Sequence, residues 1–345
     1  MEIHELVKKN DPQNQFDVIK KSYEQVEYSW NHDVDLSSIN KDKINNIILT
    51  GLGGSAISGD LMINFLKDEL SVPFSVNRNY NLPKYADENT LVICSSYSGN
   101  TEETISACRD AIEKNCQVIC ITTGGRIGEM ADKNQFPVFK LKPGYQPRYA
   151  LWINFFALLK SLHLLNLVQV ENEFVENIIQ HFKTKGNELS VEDNLAFRLA
   201  ESLNGFVPVI YVVADVTSAV GVRLKCQFNE NSKLHSYCSL LPELNHNEII
   251  GWETYHEKQF NTKVIFIDDD TYHPQVKKRV KITGEILGKS GVEHITLKSD
   301  EKDFKLRLLD LIYLGDWISY YLAIIRNQDP SLIKNIIYLK EKLVE

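Results

Sequence analysis

Two short segments constrain the fold of this chain more than anything else in it. They are Gly51-Leu52-Gly53-Gly54-Ser55 and Ser95-Ser96-Tyr97-Ser98-Gly99-Asn100-Thr101. Each follows an apolar run, at 47–49 and 91–93, and each precedes a helical pattern. Glycine lets the backbone turn tightly and approach a ligand closely. The helix that follows aims its unpaired N–H groups and the positive end of its dipole at an anion. Ser55, Ser96, Ser98 and Thr101, with Gly54 beside them, supply hydroxyl donors without adding charge. Together the segments describe a pocket for a phosphate monoester.

The commoner phosphate loops do not fit. Neither segment carries the Lys-Ser/Thr ending of a P-loop, and the first reads G-L-G-G-S-A rather than G-x-G-x-x-G. A single glycine loop is often a plain tight turn. Two hydroxyl-rich loops after successive strands are harder to explain that way.

With 345 residues, 43% of them hydrophobic, the chain is long enough for two domains with sizeable cores. A formal net charge of −8 argues against nucleic acid and anionic membranes as partners. Cys94, Cys108, Cys116, Cys120, Cys226 and Cys238 form no C-x-x-C pair, and Cys94 and Cys120 read as small buried hydrophobes within strands. Met1 is followed by a polar, charged stretch, so no signal peptide and a cytoplasmic location are expected. The most apolar segment, 150–168, is interrupted by Lys160, His163 and Asn166, which makes it a buried helix rather than a membrane span.

Periodicity organises the rest. Phe16, Ile19, Tyr23, Val26 and Trp30 form one apolar stripe and predict a helix near 15–31. Strands are expected near 45–50, 73–77, 90–95, 117–122 and 137–141, alternating with helices near 56–67, 101–114 and 126–134. Asn100 or Thr101 is the expected N-cap of the second of these helices, with Glu102 and Glu103 in its first turn. Helices near 150–167 and 171–185 lead to a second alternation. Its helices fall near 193–204, 217–228, 274–288, 303–326 and 331–343, and its strands near 207–213, 263–268 and 292–297. The fold class is therefore α/β, with doubly wound parallel sheets and ligands at the carboxyl ends of the strands. The corresponding loop of the second half, Ala214-Asp215-Val216-Thr217-Ser218, lacks glycine and carries an acid, so one phosphate site is expected per chain.

The chain resembles the sugar isomerase (SIS) superfamily, and more closely its bifunctional phosphoglucose/phosphomannose isomerases. The resemblance rests on G-L-G-G-S-A-I-S-G-D at 51–60, S-S-Y-S-G-N-T-E-E-T at 95–104 and P-R-Y-A-L at 147–151. It continues in R-L-K-C-Q-F-N-E-N-S-K at 223–233, E-L-N-H-N-E-I at 243–249 and D-P at 329–330. It implies two SIS-type domains with flanking helices, at 1–165 with the phosphate loops and at 166–345 with the Glu and His segments. It implies a metal-independent aldose–ketose isomerase that interconverts fructose 6-phosphate with glucose 6-phosphate and mannose 6-phosphate, without a cofactor.

Such a reaction opens a sugar ring and moves a proton between C1 and C2 through an enediolate. It needs a base, a group for the ring oxygen and a cation near the oxyanion. Glu230, where a helical pattern breaks into a polar turn, matches the family's catalytic glutamate segment. His246, in a segment with neither helical nor strand period, falls where the resemblance places the catalytic histidine, which it implies serves the neighbouring subunit of a homodimer. Arg148, after Pro147 at the start of the buried helix, is the candidate oxyanion cation. Lys340 is the candidate C-terminal lysine near the ring oxygen, with Lys342 as its competitor, and Ser331 is a candidate contributor to epimer choice. No H-x-x-x-H, H-E-x-x-H or paired Cys/His spacing suggests a metal. Two rivals are weaker. An amino-sugar synthase of the same superfamily would bring an N-terminal cysteine and a glutaminase domain. A non-catalytic sugar-phosphate sensor would have no need of Glu230, His246 and Arg148.

Overall fold

The computed structural model describes residues 2–257 and 261–343. Its elements in chain order are α1 (Ile3–Asn10), α2 (Gln15–Lys20), α3 (Ser22–Asn31), β1 (Asn46–Thr50), α4 (Gly54–Phe65), β2 (Phe74–Asn77), β3 (Thr90–Ser96), α5 (Glu102–Glu113), β4 (Gln117–Thr122), α6 (Gly125–Asn134), β5 (Val138–Lys140), α7 (Leu151–Leu164) and α8 (Asn172–Glu188). There follow α9 (Leu195–Leu203), β6 (Val207–Val213), α10 (Ser218–Glu230), β7 (Tyr237–Leu241), β8 (Thr262–Asp268), α11 (Pro274–Lys289), β9 (Glu293–Lys298), α12 (Phe304–Ile325) and α13 (Lys334–Leu343). The chain forms two compact units, one of residues Lys21–Lys183 and the other of the segment up to Lys20 with the segment from Thr184 onward. These units do not coincide with the 1–165 and 166–345 division read from the sequence.

The 21–183 unit holds a five-stranded parallel sheet in the order β2-β1-β3-β4-β5. β3 is buried at every position, as its unbroken apolar run requires of a central parallel strand. α7 is buried along almost its whole length, as its composition predicts. Each large apolar side chain so buried contributes about 1.5–3 kcal/mol. α3 is tied to the start of α7 by side chains. Gln25 Nε2 donates to the Tyr149 carbonyl at 2.8 Å, Gln25 Oε1 accepts from the Ile153 amide at 3.1 Å, and Ser29 Oγ donates to the Ile153 carbonyl at 2.8 Å.

The other unit holds a four-stranded parallel sheet in the order β7-β6-β8-β9, the same winding with one strand fewer. Strand β7 is absent from the periodicity reading because it lies at the sheet edge, and only Leu241 of its five residues is fully buried. Helix α12 runs through the unit's core, with Trp317, Tyr320 and Tyr321 wholly covered. Among the described residues it is the one helix long and apolar enough to cross a membrane, and most of it is packed inside the unit.

The helix expected at 15–31 is broken at Lys21, and its stripe divides between the two units. Asp11 holds the first part. Its carboxylate accepts from the amides of Gln15 and Phe16 at 2.9 and 2.8 Å and from the Tyr320 hydroxyl at 2.9 Å. The Phe16 ring stands edge-on to Trp317 with centroids 5.2 Å apart. Val26 and Trp30 are buried in the 21–183 unit instead.

Candidate functional site

β1 and β3 are neighbours in register, Thr50 opposite Cys94, so the loops that follow them open side by side at the carboxyl edge of the sheet. They touch closely: a Cβ on Gly51 would sit 2.7 Å from the Ser95 carbonyl oxygen. Gly53 takes φ 53° just before α4, and Ser55 is buried in the first turn. In the second loop Ser96 Oγ and Thr101 Oγ1 lie 2.9 Å apart, and Ser96 Oγ accepts from the Gly99 amide at 3.1 Å. Thr101 stands at the N-cap of α5 as expected, yet its side chain makes no cap hydrogen bond. The hydroxyl is turned toward Ser96, leaving the amides of the first turn available to an anion. Ser98 is exposed, and its Oγ accepts from the Asn100 amide at 3.3 Å.

Arg148 lies in a single 3-10 turn, Pro147–Tyr149, ahead of α7. Its backbone is brought against the start of α4: a Cβ on Gly54 would meet the Pro147 carbonyl oxygen at 2.8 Å and the Arg148 Cα at 3.8 Å. Arg148 is 4% exposed, with its guanidinium 5.3 Å from the centroid of the Tyr149 ring. Tyr97 braces the segment leading to this turn. Its hydroxyl donates to the Lys142 carbonyl at 2.8 Å and accepts from the Tyr145 amide at 2.9 Å, and burial pushes its phenol above the usual value. Gly54, Ser55, Ser96, Ser98, Thr101 and the Arg148 backbone thus gather at one edge of one sheet.

Sequence reading missed a third loop at this edge. Residues 122–125 carry the chain from the end of β4 into α6, with Gly124 and Gly125 at φ 144° and 63°. The loop is stitched to the serine loop: Thr123 Oγ1 donates to the Tyr97 carbonyl at 2.7 Å, and the Arg126 amide to Asn100 Oδ1 at 3.1 Å. A cavity of about 350 Å³ opens beside it, with Lys140, Glu129 and Asp132 in its lining. The signal was the Thr-Thr-Gly-Gly run between a strand and a helix.

Glu230, His246 and Lys340 stand on three elements of the other unit. Glu230 is the half-buried last residue of α10. That helix is fixed to α12 by Asp316, whose carboxylate accepts from Arg223 Nε at 3.0 Å and Gln227 Nε2 at 2.8 Å. Burial raises the Asp316 carboxyl, and the Arg223 guanidinium opposes that shift. His246 is exposed at the end of a 3-10 turn, Glu243–His246, anchored by buried Leu244. Its neighbours are engaged elsewhere: Asn245 Nδ2 donates to Thr283 Oγ1 at 2.9 Å, and Glu248 Oε1 accepts from the Tyr211 hydroxyl at 2.7 Å. Lys340 and Lys342 are both exposed on α13. Ser331 is 3% exposed, and its amide donates to Asp329 Oδ1 at 2.7 Å. In this unit the loop after β6 is occupied by its own contacts, because Thr217 Oγ1 accepts from the Val213 amide and lies against the Tyr272 hydroxyl. Among the described residues no group of three or more His, Cys, Asp or Glu is arranged to hold a metal ion.

Comparison with known proteins agrees with this architecture. Residues 41–135 match the SIS domain family, and residues 192–343 match the family described as the bacterial phospho-glucose isomerase C-terminal SIS domain. A bifunctional phosphoglucose/phosphomannose isomerase of Caldicellulosiruptor bescii is 38% identical over 329 residues, 93% of this chain and 96% of the relative. One from Aquifex aeolicus is 36% identical over 86% of this chain and 90% of its own length. Among solved structures, a hypothetical protein of Thermus thermophilus superimposes with a TM-score of 0.74 at 13% identity, covering 99% of this chain and 94% of that one. The C-terminal domain of a Francisella tularensis glucosamine-fructose-6-phosphate aminotransferase gives 0.68 at 16% identity, over 91% and 97%. These two likenesses concern the fold. With relatives matched across nearly its whole length, the chain belongs to the bifunctional phosphoglucose/phosphomannose isomerase family of SIS proteins.

Proposed function

We propose that this protein is a sugar-phosphate isomerase that interconverts fructose 6-phosphate with glucose 6-phosphate and mannose 6-phosphate, in the cytoplasm and without a metal. The observation that carries the reading is the hydroxyl pair Ser96 and Thr101, 2.9 Å apart at the start of α5, in a chain of this family. The phosphate takes the place of that mutual hydrogen bond and accepts from Ser55, Ser96, Ser98, Thr101 and the amides around Gly54. His246 moves a proton between the ring oxygen and the C1 hydroxyl to open the ring. Glu230 takes the proton from C2 of the aldose and returns it to C1. Arg148 stabilises the enediolate, and Lys340 attends the ring oxygen. The exposure of His246 supports the further reading that the active form is a homodimer in which this histidine serves the neighbouring subunit.

The test is turnover of fructose 6-phosphate after exhaustive chelation, following both aldose products. Activity should persist, and solvent tritium should enter recovered substrate. Glu230→Gln should lower the rate by roughly 10²–10⁴ with little change in binding, as loss of a general base does. Restoration only by added zinc or manganese would overturn the metal-free route. A protein that binds fructose 6-phosphate without turning it over would be a sensor. A relative from Sulfolobus acidocaldarius named D-glucosamine-6-phosphate 4-epimerase, 33% identical over 216 residues, makes glucosamine 6-phosphate the comparison substrate.

A further inference from the structure

α10 does not fray where it ends. After Glu230, Asn231 and Ser232 are completely buried, and both are fixed to one residue of α12. Asn231 Nδ2 donates to Ser319 Oγ at 3.0 Å, and Ser232 Oγ to the Ser319 carbonyl at 2.7 Å. Arg326 Nε adds a bond to the Ser232 carbonyl at 3.1 Å. The next residue, Lys233, takes the left-handed conformation at φ 52°, which a residue with a side chain adopts only when its surroundings impose it. Its ammonium donates to three backbone carbonyls: Glu230 at 2.8 Å, Asn231 at 3.1 Å and Asp329 at 2.6 Å.

A lysine ammonium has three hydrogens, and three carbonyls receive them. Two of the carbonyls belong to the end of α10, where the dipole is negative and acceptors lack helical donors. The third belongs to a segment that its own Asp329 side chain holds rigid through the Ser331 amide. Asn231, Ser232 and Arg326 already secure the turn, so a fold-holding role alone leaves this fourth anchor redundant. Of these four anchors, it is Lys233 that bonds the carbonyl of Glu230 itself.

We propose that Lys233 is a positioning residue for Glu230. By clamping the Glu230 carbonyl to the Asp329 segment, its ammonium sets the direction in which the carboxylate leaves the end of α10. The inference rests on the reading of Glu230 as the base. A base displaced by about 1 Å loses up to a hundredfold in rate while the substrate still binds.

Lys233→Gly separates the ammonium from the backbone, because glycine accepts the left-handed conformation freely. With fructose 6-phosphate, kcat should fall by about ten- to a hundredfold, with KM within about twofold and an unchanged melting curve. Ethylamine at millimolar concentration should restore part of kcat. In a Glu230→Gln background the same substitution should cost less than about twofold, because it acts through the carboxylate that is gone. Lys233→Met, which keeps the stem, should match the glycine variant when rates are counted per folded protein. Full kcat in both variants, an equal loss with and without Glu230, or failure of both to fold would overturn the proposal and leave Lys233 a simple helix cap. Wild-type turnover by Glu230→Gln alone would overturn the reading of Glu230 as the base and the positioning role with it.

Discussion

Gly99→Ala tests whether the serine loop has any latitude. Gly99 sits at φ 71°, and a Cβ there would lie 1.8 Å from the Gly124 carbonyl oxygen and 2.9 Å from Thr122 Oγ1. Ordinary contact begins near 3.4 Å, so the two loops must separate by about 1.6 Å. The Gly124 carbonyl cannot move alone, since it accepts from Thr122 Oγ1 at 2.9 Å and from the Gly128 amide at 3.2 Å. The left-handed backbone costs about 1–2 kcal/mol for a residue with a Cβ, and overpacking adds about 1–3. A loss of about 2–5 kcal/mol lowers the melting temperature of a unit this size by roughly 4–20 °C. The displaced Gly99 also breaks its 3.1 Å bond to Ser96 Oγ, so KM for fructose 6-phosphate should rise as well. Thermal denaturation and steady-state kinetics read the two effects. Gly128→Ala is the control. It lies within α6 with nothing near its Cβ, and should gain about 0.5–1 kcal/mol. If Gly99→Ala melts with the parent and keeps its KM, the two loops are not the rigid pair described here.

Three further outcomes are expected. Replacing Ser96 and Thr101 together by alanine should raise KM, each lost charge-assisted hydrogen bond costing about 1.5–3 kcal/mol; an unchanged KM would remove these hydroxyls from phosphate binding. If His246 serves a neighbouring subunit, mixing Glu230→Gln with His246→Ala protein should restore activity toward roughly a quarter of wild type, since random exchange makes about half the dimers mixed, each with one intact site; subunit exchange without recovery would place both groups in one chain's site. Acid stability should depend on Asp269. Burial raises its carboxyl, but hydrogen bonds from Arg307 and Thr271 outweigh that and hold it below the usual range. Its contribution is therefore complete above the ordinary carboxylate pKa and is lost as pH falls through the lower folded value. Asp269→Asn should destabilise the protein at neutral pH by about 3–5 kcal/mol and flatten the acid limb of a denaturation series; a parallel curve would refute the linkage.

The sheets were legible because a buried parallel strand announces itself: 91–94 and 207–213 are unbroken apolar runs, and both lie in strands. Strand β7 was not, because its short apolar stretch is broken by Ser239 and does not alternate, and Tyr237 and Leu240 are exposed at the sheet edge. The break at Lys21 was hidden for the opposite reason. One apolar stripe carries across it, and periodicity does not say which core receives which half. At the candidate site, residue types pointed to Ser55, Ser96 and Thr101, but not to the pairing of the last two across their loop. The approach of Arg148 to Gly54 is a long-range contact with no local signature. Nor does any pattern in Asn-Glu-Asn-Ser-Lys reveal that its lysine folds back onto the carbonyl of its glutamate.

The division of the N-terminal helices at Lys21 makes one unit discontinuous along the polypeptide. During synthesis the first twenty residues emerge long before α12, whose Trp317 and Tyr320 they cover. The 21–183 unit has its whole sequence early and can condense as a local folding block. The remainder must wait until the last helices are translated and then recapture the leading segment, a closure of high contact order. An expression fragment starting at Thr184 would therefore show bare aromatic rings where Phe16 belongs, while one ending at Lys183 would carry a spare amphipathic tail. Physical dissection of this protein should keep residues 1–20 with the C-terminal half, by permuting the chain rather than cutting it.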